Sequence, residues 1–524
     1  MRFSKALKSS PHSAPSPDGE LIATLLPSSI LIRRVESLET TWTIRLPSDL
    51  AGGVTSFIWS PFSRRVLVSV PDQIHVFSAK GGDFHATVRL PSSPAKSTFV
   101  DFGATDDEAC IWSPLGIKLT VINLVSSKAV EIANPKLYNA SSASKGCSFR
   151  SNTHHLALLT RTAGKDVISI HSPETREIER SWYPDTIDAQ GLAWTPDGRW
   201  LVVWESSAQG HRVLFYTSDG HIFKDWRGPL PLASKEDMGQ HGAGVKVVAF
   251  SPNGRHGVIA DGSSCICILS TPSMVEEMRL RHPQAVHPKD TLQIWQEQNT
   301  PANYGSISSP TFVKATQAVI PPSANSLQES RCGCNLARFD CSSTLLATRL
   351  EDAPSTIWIW DVPSCELRAV LMYHANVTKV EWHPTQPELL LVRCEGEKYG
   401  SLLFVWDPLS DGPRLIDMTG RFPGAVSGKT SVTWLKTATE SQVIFFTDNE
   451  TCMLVYLADS DGEKLPWGRQ SSSTSSINHE AAMKPGVPSR VVSPSEDSEM
   501  DNSIDMDDGM SEVEDTFQFK FTAP

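Results

Sequence analysis

The chain has 524 residues, a net charge of −12 and 40% apolar residues, enough to bury one large core or two or three ordinary ones. Its ten cysteines are too sparse for a disulfide framework, no apolar run approaches the roughly 18 residues of a membrane span, and residues 1–13, MRFSKALKSSPHS, lack the apolar core of a secretory signal. A non-secreted chain without membrane spans, in a reducing compartment, is therefore expected. Residues 491–524 hold ten acidic side chains against Lys520 alone, which leaves the body near −3, and so neutral a body argues against nucleic acid, whose phosphates demand clustered positive charge.

Along the chain one pattern keeps returning: an apolar strand, a turn led by Ser, Thr or His before Pro, then a second apolar strand. It appears as SPDGELIAT at Ser16, VTSFIWSPFSRRVLVSV at Ser60, GLAWTPDGRWLVVW at Thr195, VKVVAFSPNGRHGVIA at Ser251 and VTKVEWHPTQPELLLV at His383. Copies without the proline are FVDFGATDDEACIWS, GCSFRSNTHHLALLT, NLARFDCSSTLLATR and SVTWLKTATESQVIFF, giving nine units in all. In TPDG, Pro196 presets φ, Asp197 caps locally and Gly198 accepts positive φ. Turn positions 16, 60, 103, 152, 195 and 251 lie 44, 43, 49, 43 and 56 residues apart, and the next interval, to Cys341, is 90. A period of ~40 to 45 residues built of short strands is that of four-stranded propeller blades; helical repeats would show a 3.6-residue spacing.

A third strand rich in β-branched and aromatic residues follows in each unit, as in STIWIWDV and SLLFVWDP, and then a shorter polar fourth strand. Trp360-Asp361 and Trp406-Asp407 end two third strands with the dipeptide for which WD repeats are named. The expectation is an all-β WD-repeat β-propeller of about nine units over residues 1–459, closed as one large ring or as two unequal ones, with residues 2–7 placed to supply the outer strand of the last blade. Two segments break the pattern. Residues 284–330 hold five prolines and the short apolar pieces LQIW and TFVKATQAVI; they are a functional loop, an added strand, a disordered connection or an eroded tenth blade. Residues 460–524, Ser-rich and then acidic, have too few large apolar residues to offset ordering entropy and are expected to be disordered. Ser493 before Pro494, and Ser498 and Ser511 with acids three residues on, are candidate phosphorylation sites.

Chemistry is hard to find. Residues 239–246, GQHGAGVK, lack the preceding strand of a dinucleotide fingerprint. Cys265 with Cys267 and Cys332 with Cys334 have neither zinc spacing nor converging histidines, and small buried thiols are the plainer reading. His154-His155 sits in a blade turn, where a solvated pair is expected. No nucleophile elbow stands out. Neither catalytic, metal nor cofactor residues are assigned. The better lead is aromatic: Trp182 and Tyr183 follow one fourth strand, and Trp226 and Arg227 follow the next, so two successive rim connections carry residue types that anchor protein partners. Aromatic packing between blades competes with that reading.

The ordered series FSKALKSS before SPDG, WYPDTIDAQGLAWTPDGRWLVVWES, VLFYTSDGHIFKDW, GVKVVAFSPNGRHGVIA ending at RHP, the insertion, and LATRLEDAPSTIWIWDV with VEWHPTQPELLLV resembles the WD-repeat protein eight family of spindle-pole and centrosome proteins. The resemblance runs from Phe3 to Ala458. It implies a non-enzymatic adaptor in the cytoplasm and cytoskeleton, without cofactors, which with a coiled-coil anchoring protein and γ-tubulin components of the spindle pole tethers microtubule minus ends and a minus-end-directed kinesin. The other reading of the residues is a WD-repeat subunit of a ubiquitin ligase or an RNA-processing complex.

Overall fold

The computed structural model describes residues 1–47, 50, 53–90, 98–136, 146–228, 244–299, 310–323, 333–422, 428, 430–437, 441–457 and 465–467. They form nine sheets in chain order, each built on four antiparallel strands. Blade 1 runs Ser13–Pro15, Leu21–Leu26, Ser29–Arg34 and Thr40–Arg45. Blades 2 to 9 span residues 56–89, 99–133, 147–182, 189–226, 245–281, 334–372, 377–417 and 431–456.

The turn between first and second strands fits its sequence. Ser16, Ser60, Thr195 and Ser251 each accept with the side-chain oxygen the backbone N–H five residues on, at 2.9–3.1 Å. Asp18, Asp197 and Asn253 receive three of those hydroxyls. The fourth turn residue is left-handed: Gly19 at φ 73°, Ser63 at 61°, Gly198 at 67°, Gly254 at 68°. Successive turns are also tied together, since Ser63 Oγ accepts Asp18 N–H at 3.0 Å and Ser343 Oγ accepts Asn253 N–H at 3.2 Å.

The two glycines most exposed to this requirement should respond differently to alanine. At Gly198 a methyl meets only side-chain atoms of Arg150, 3.2 Å away, so Gly198→Ala is expected to cost about 1 kcal/mol, mostly from φ. At Gly19 it would lie 1.7 Å from the Lys436 carbonyl oxygen of blade 9, which adds a backbone clash, and Gly19→Ala should cost about 3 kcal/mol. Urea midpoints of the two variants check the order.

Indoles closing the first strands bind blade to blade. Trp59, Trp382 and Trp434 donate Nε1–H to the carbonyls of Ala14, Arg338 and Glu381 in the preceding blade, at 2.9–3.0 Å. Nine hydrophobic clusters each draw side chains from two neighbouring blades, and the last joins Phe445 and Leu454 of blade 9 to Ile22 and Val35 of blade 1. The ring is therefore single and closed. Its clasp is the N-terminus: Arg2 and Phe3 pair with Tyr456 and Val455, and Leu7 and Lys8 pair with Cys452 and Thr451. Beyond the last strand, Trp467 is only 6% exposed and packs in the blade 9–blade 1 cluster, its ring 6.3 Å from Tyr456. The packed body thus reaches past residue 459.

The long insertion is not a tenth blade. Gln293–Asn299, which contains QIW, pairs in parallel with the fourth strand of blade 7, Glu366–Met372, and Pro310–Lys314 pairs onto it. The added hairpin also holds blade 8, because Gln293 Nε2 donates to Pro408 O at 2.8 Å and Tyr399 Oη to Glu297 Oε1 at 2.7 Å.

Candidate interaction surface

Antiparallel blades place first-to-second and third-to-fourth turns on one face, and second-to-third turns with blade-to-blade connections on the other. Trp182 ends the fourth strand of blade 4, Ile178–Trp182, and Trp226 ends that of blade 5, Ile222–Trp226. The connections are equivalent, but their indoles are not surface groups. Trp226 is 6% exposed inside the cluster joining blades 5 and 6. Trp182 is half-buried against the cluster of blades 4 and 5, its ring centroid 5.7 Å from Tyr216. Blades diverge away from the axis, and an indole at the end of an outer strand fills the widening gap. The expectation that both tryptophans project as partner anchors is corrected on this point.

Tyr183 does project, at 69% exposure, with Lys165 Nζ 5.9 Å from its ring centroid. Ile187, at 66% exposure, lies in the same connection; sequence reasoning misses it, since the exposure of a lone loop isoleucine has no local signature. The loop between these two residues is pinned. Tyr216 Oη accepts Asp185 N–H at 3.0 Å, and Glu205 Oε1 accepts the N–H groups of Ile187 and Asp188 at 2.5 and 2.8 Å. Asp166 Oδ2 accepts Ala189 N–H at 2.7 Å, while Lys136 bridges Asp166 and Asp188, each at 2.8 Å.

Beside the loop, Arg212 Nη2 reaches Asp185 at 2.5 Å and Asp225 at 3.1 Å, and Arg227 pairs with the same Asp225 at 2.8 Å from an exposed position. The hydrogen bond to Asp225 is the largest cause raising the Arg212 pKa, and that from Lys136 the largest lowering Asp188. Arg212 and Asp188 therefore stay charged near neutrality. Two exposed apolar side chains on a rigid, charge-braced loop bind through pre-organisation, since little entropy remains to be lost.

The remaining candidates play structural parts. His154 O accepts Arg176 Nη1–H at 2.7 Å, and His155 Nε2 lies 3.2 Å from Glu179. Burial raises the thiols of Cys265, Cys267 and Cys334, the last to about 11. Among the described residues, no group of three or more His, Cys, Asp or Glu side chains is placed to hold a metal. Cys332, most of 239–246, Ser493, Ser498 and Ser511 lie outside the described residues.

Nine four-stranded blades, two of them with Trp-Asp at the end of the third strand, make this chain a WD-repeat β-propeller protein, of a class whose members are generally non-enzymatic scaffolds. It is 25% identical over 438 residues to WD repeat-containing protein WRAP73 of Mus musculus, covering 78% of this chain and 87% of that protein. It is 24% identical over 465 residues to an uncharacterised WD repeat-containing protein of Schizosaccharomyces pombe, covering 85% and 90%. A solved structure described as a eukaryotic initiation factor aligns with 80% of this chain and 89% of its own at TM-score 0.46 and 11% identity, a likeness that carries no argument. No family model matches the chain.

Proposed function

We infer that this propeller is a non-enzymatic adaptor of the spindle pole body or centrosome. With a coiled-coil partner and γ-tubulin components it anchors microtubule minus ends and a minus-end-directed kinesin, in support of spindle assembly. The reading rests on the ordered resemblance from Phe3 to Ala458 and, on the surface, on the rigid loop that exposes Tyr183 and Ile187. A closed ring suits the task, because each blade is braced by two neighbours and partners held on its two faces keep a fixed separation.

A coiled coil docking on this loop would cover both side chains, with Arg227 at the edge of the contact. Tyr183→Ala with Ile187→Ser is therefore expected to weaken the complex by about 2 kcal/mol with urea midpoint unchanged. Trp226→Ala, by contrast, opens a core cavity and should lower the midpoint. Co-purification of the coiled-coil partner at wild-type levels with the double variant removes the loop from the interface. Localisation tests the wider reading: a tagged chain should concentrate at spindle poles, and its deletion should detach minus ends and kinesin from them. A tag that instead follows a ubiquitin ligase or an RNA-processing complex defeats it.

A further inference from the structure

The outer strand of every blade is a sheet edge, and proteins usually guard such edges with charge, proline or cover. Blade 4's edge carries Glu179 and Arg180, blade 3's carries Glu131 paired to Lys118 at 2.5 Å, and the hairpin edge of blade 7 carries Pro310 and Lys314. Blade 2's edge, His85–Arg89, is mostly covered. Blade 1's edge has no proline and little cover. Thr40–Arg45 reads TTWTIR, is exposed at every residue but Ile44, and has its one charge at the end. Trp42 stands 42% exposed on it.

We propose that this edge is a docking site for the C-terminal segment of the same chain, residues 516–524, TFQFKFTAP, which adds to blade 1 as a fifth strand. Phe517, Phe519 and Phe521 alternate with Gln518, Lys520 and Thr522, the period of a strand with one apolar face. Strand addition supplies main-chain hydrogen bonds for affinity, and alternate side chains for selection. Here the selecting contact is an aromatic row meeting Trp42.

The route of the chain favours this edge over the others. Trp467 is buried in the cluster that contains Val35 and Leu38, and those two residues lie in the turn leading directly into Thr40–Arg45. The tail therefore leaves the body at the base of the strand it would join. A flexible chain of 48 residues, the number between Trp467 and Thr516, spans about 40 Å root-mean-square, ample for a return to this edge at roughly millimolar effective concentration.

Hydrogen exchange of the full chain tests the proposal. Every second amide of Thr40–Arg45 points away from blade 1, and these amides should exchange at least ten-fold faster when residues 516–524 are removed or when Phe517, Phe519 and Phe521 are all changed to Ser. A synthetic peptide of residues 516–524 should restore the protection in the truncated chain. Trp42→Thr, an exposed change that leaves the ring intact, should speed tryptic cleavage after Lys520. Unchanged exchange on truncation overturns the proposal. So does protection that grows with chain concentration, since the strand then comes from a second copy.

Discussion

Acidification from pH 7 to pH 5 is expected to remove about 2 kcal/mol of stability for each of two buried histidines, His282 and His383. His282 lies between blades 6 and 7, with its ring edge-on to Trp358 and Trp360 at 5.0 and 5.2 Å. Its Nδ1–H donates to Ser264 O and its Nε2 accepts from Thr348 Oγ1, both at 2.8 Å, while Thr348 Oγ1 accepts the Trp360 indole N–H at 3.0 Å. That relay is complete only for the neutral ring: a proton on Nε2 would turn the Thr348 hydroxyl into an acceptor and leave its hydrogen without this partner. Burial lowers the pKa from 6.5 to about 4. His383, whose Nδ1 accepts Gln386 N–H at 2.8 Å and whose ring meets Trp434 at 4.8 Å, is also lowered by burial to about 4.

The folded state thus refuses a proton that the unfolded chain takes up below pH 6.5. Stability from these two residues is complete above that pH, falls through the window from 6.5 to about 4, and changes no further below it. The full span is worth about 3 kcal/mol per histidine. Urea midpoints at pH 7, 6 and 5 check this above the range where carboxylates titrate. His383→Gln should lose stability at pH 7 and keep roughly half of the pH slope. A midpoint flat from pH 7 to pH 5 contradicts the assignment.

The repeat was legible because its chemistry is local. A hydroxyl at the turn start, an acid or amide two residues on and a left-handed position one further fall within six residues, so Ser16, Thr195 and Ser251 announced their hairpins. The nine units followed from the recurrence of that turn along the chain. Ring closure was legible only as a place for residues 2–7, since nine units alone also permit two rings; the blade 9–blade 1 cluster decides it. The insertion was unreadable beyond its apolar pieces, because a parallel partner 76 residues away leaves no trace in a strand's own alternation. The rim aromatics show the same limit from the other side. Trp226 and Tyr183 occupy equivalent connections, yet one points into the gap between blades and the other into solvent.

The largest loss from a single side chain is expected at a pair that stands 68 residues apart in the chain and that no local pattern joins. Arg176, in the third-to-fourth turn of blade 4, is buried against Glu108 of blade 3, with Nε to Oε1 at 2.5 Å and Nη2 to Oε2 at 2.8 Å. Their other capacity is spent too: Arg176 Nη1 donates to the carbonyls of His154 and Ser172, at 2.7 and 3.1 Å, and Glu108 Oε2 accepts Ala104 N–H at 2.9 Å. The Phe149 ring faces the guanidinium at 5.4 Å. Removing one partner leaves an uncompensated charge with little water to solvate it, so Arg176→Ala should cost about 3–5 kcal/mol, far more than an exposed pair. Replacing both, as in Arg176→Met with Glu108→Leu, removes the charge together with its partner and should recover most of that loss, although the carbonyls of His154 and Ser172 forfeit their donor. The coupling energy of this double-mutant cycle separates a buried pair from a decorative one. It should change little between 0.1 and 1 M salt, because solvent ions do not reach the seam. Single variants that each cost under 1 kcal/mol, or a coupling that vanishes in salt, would place the pair at the surface in energetic terms and return the hold between blades 3 and 4 to their apolar contacts alone.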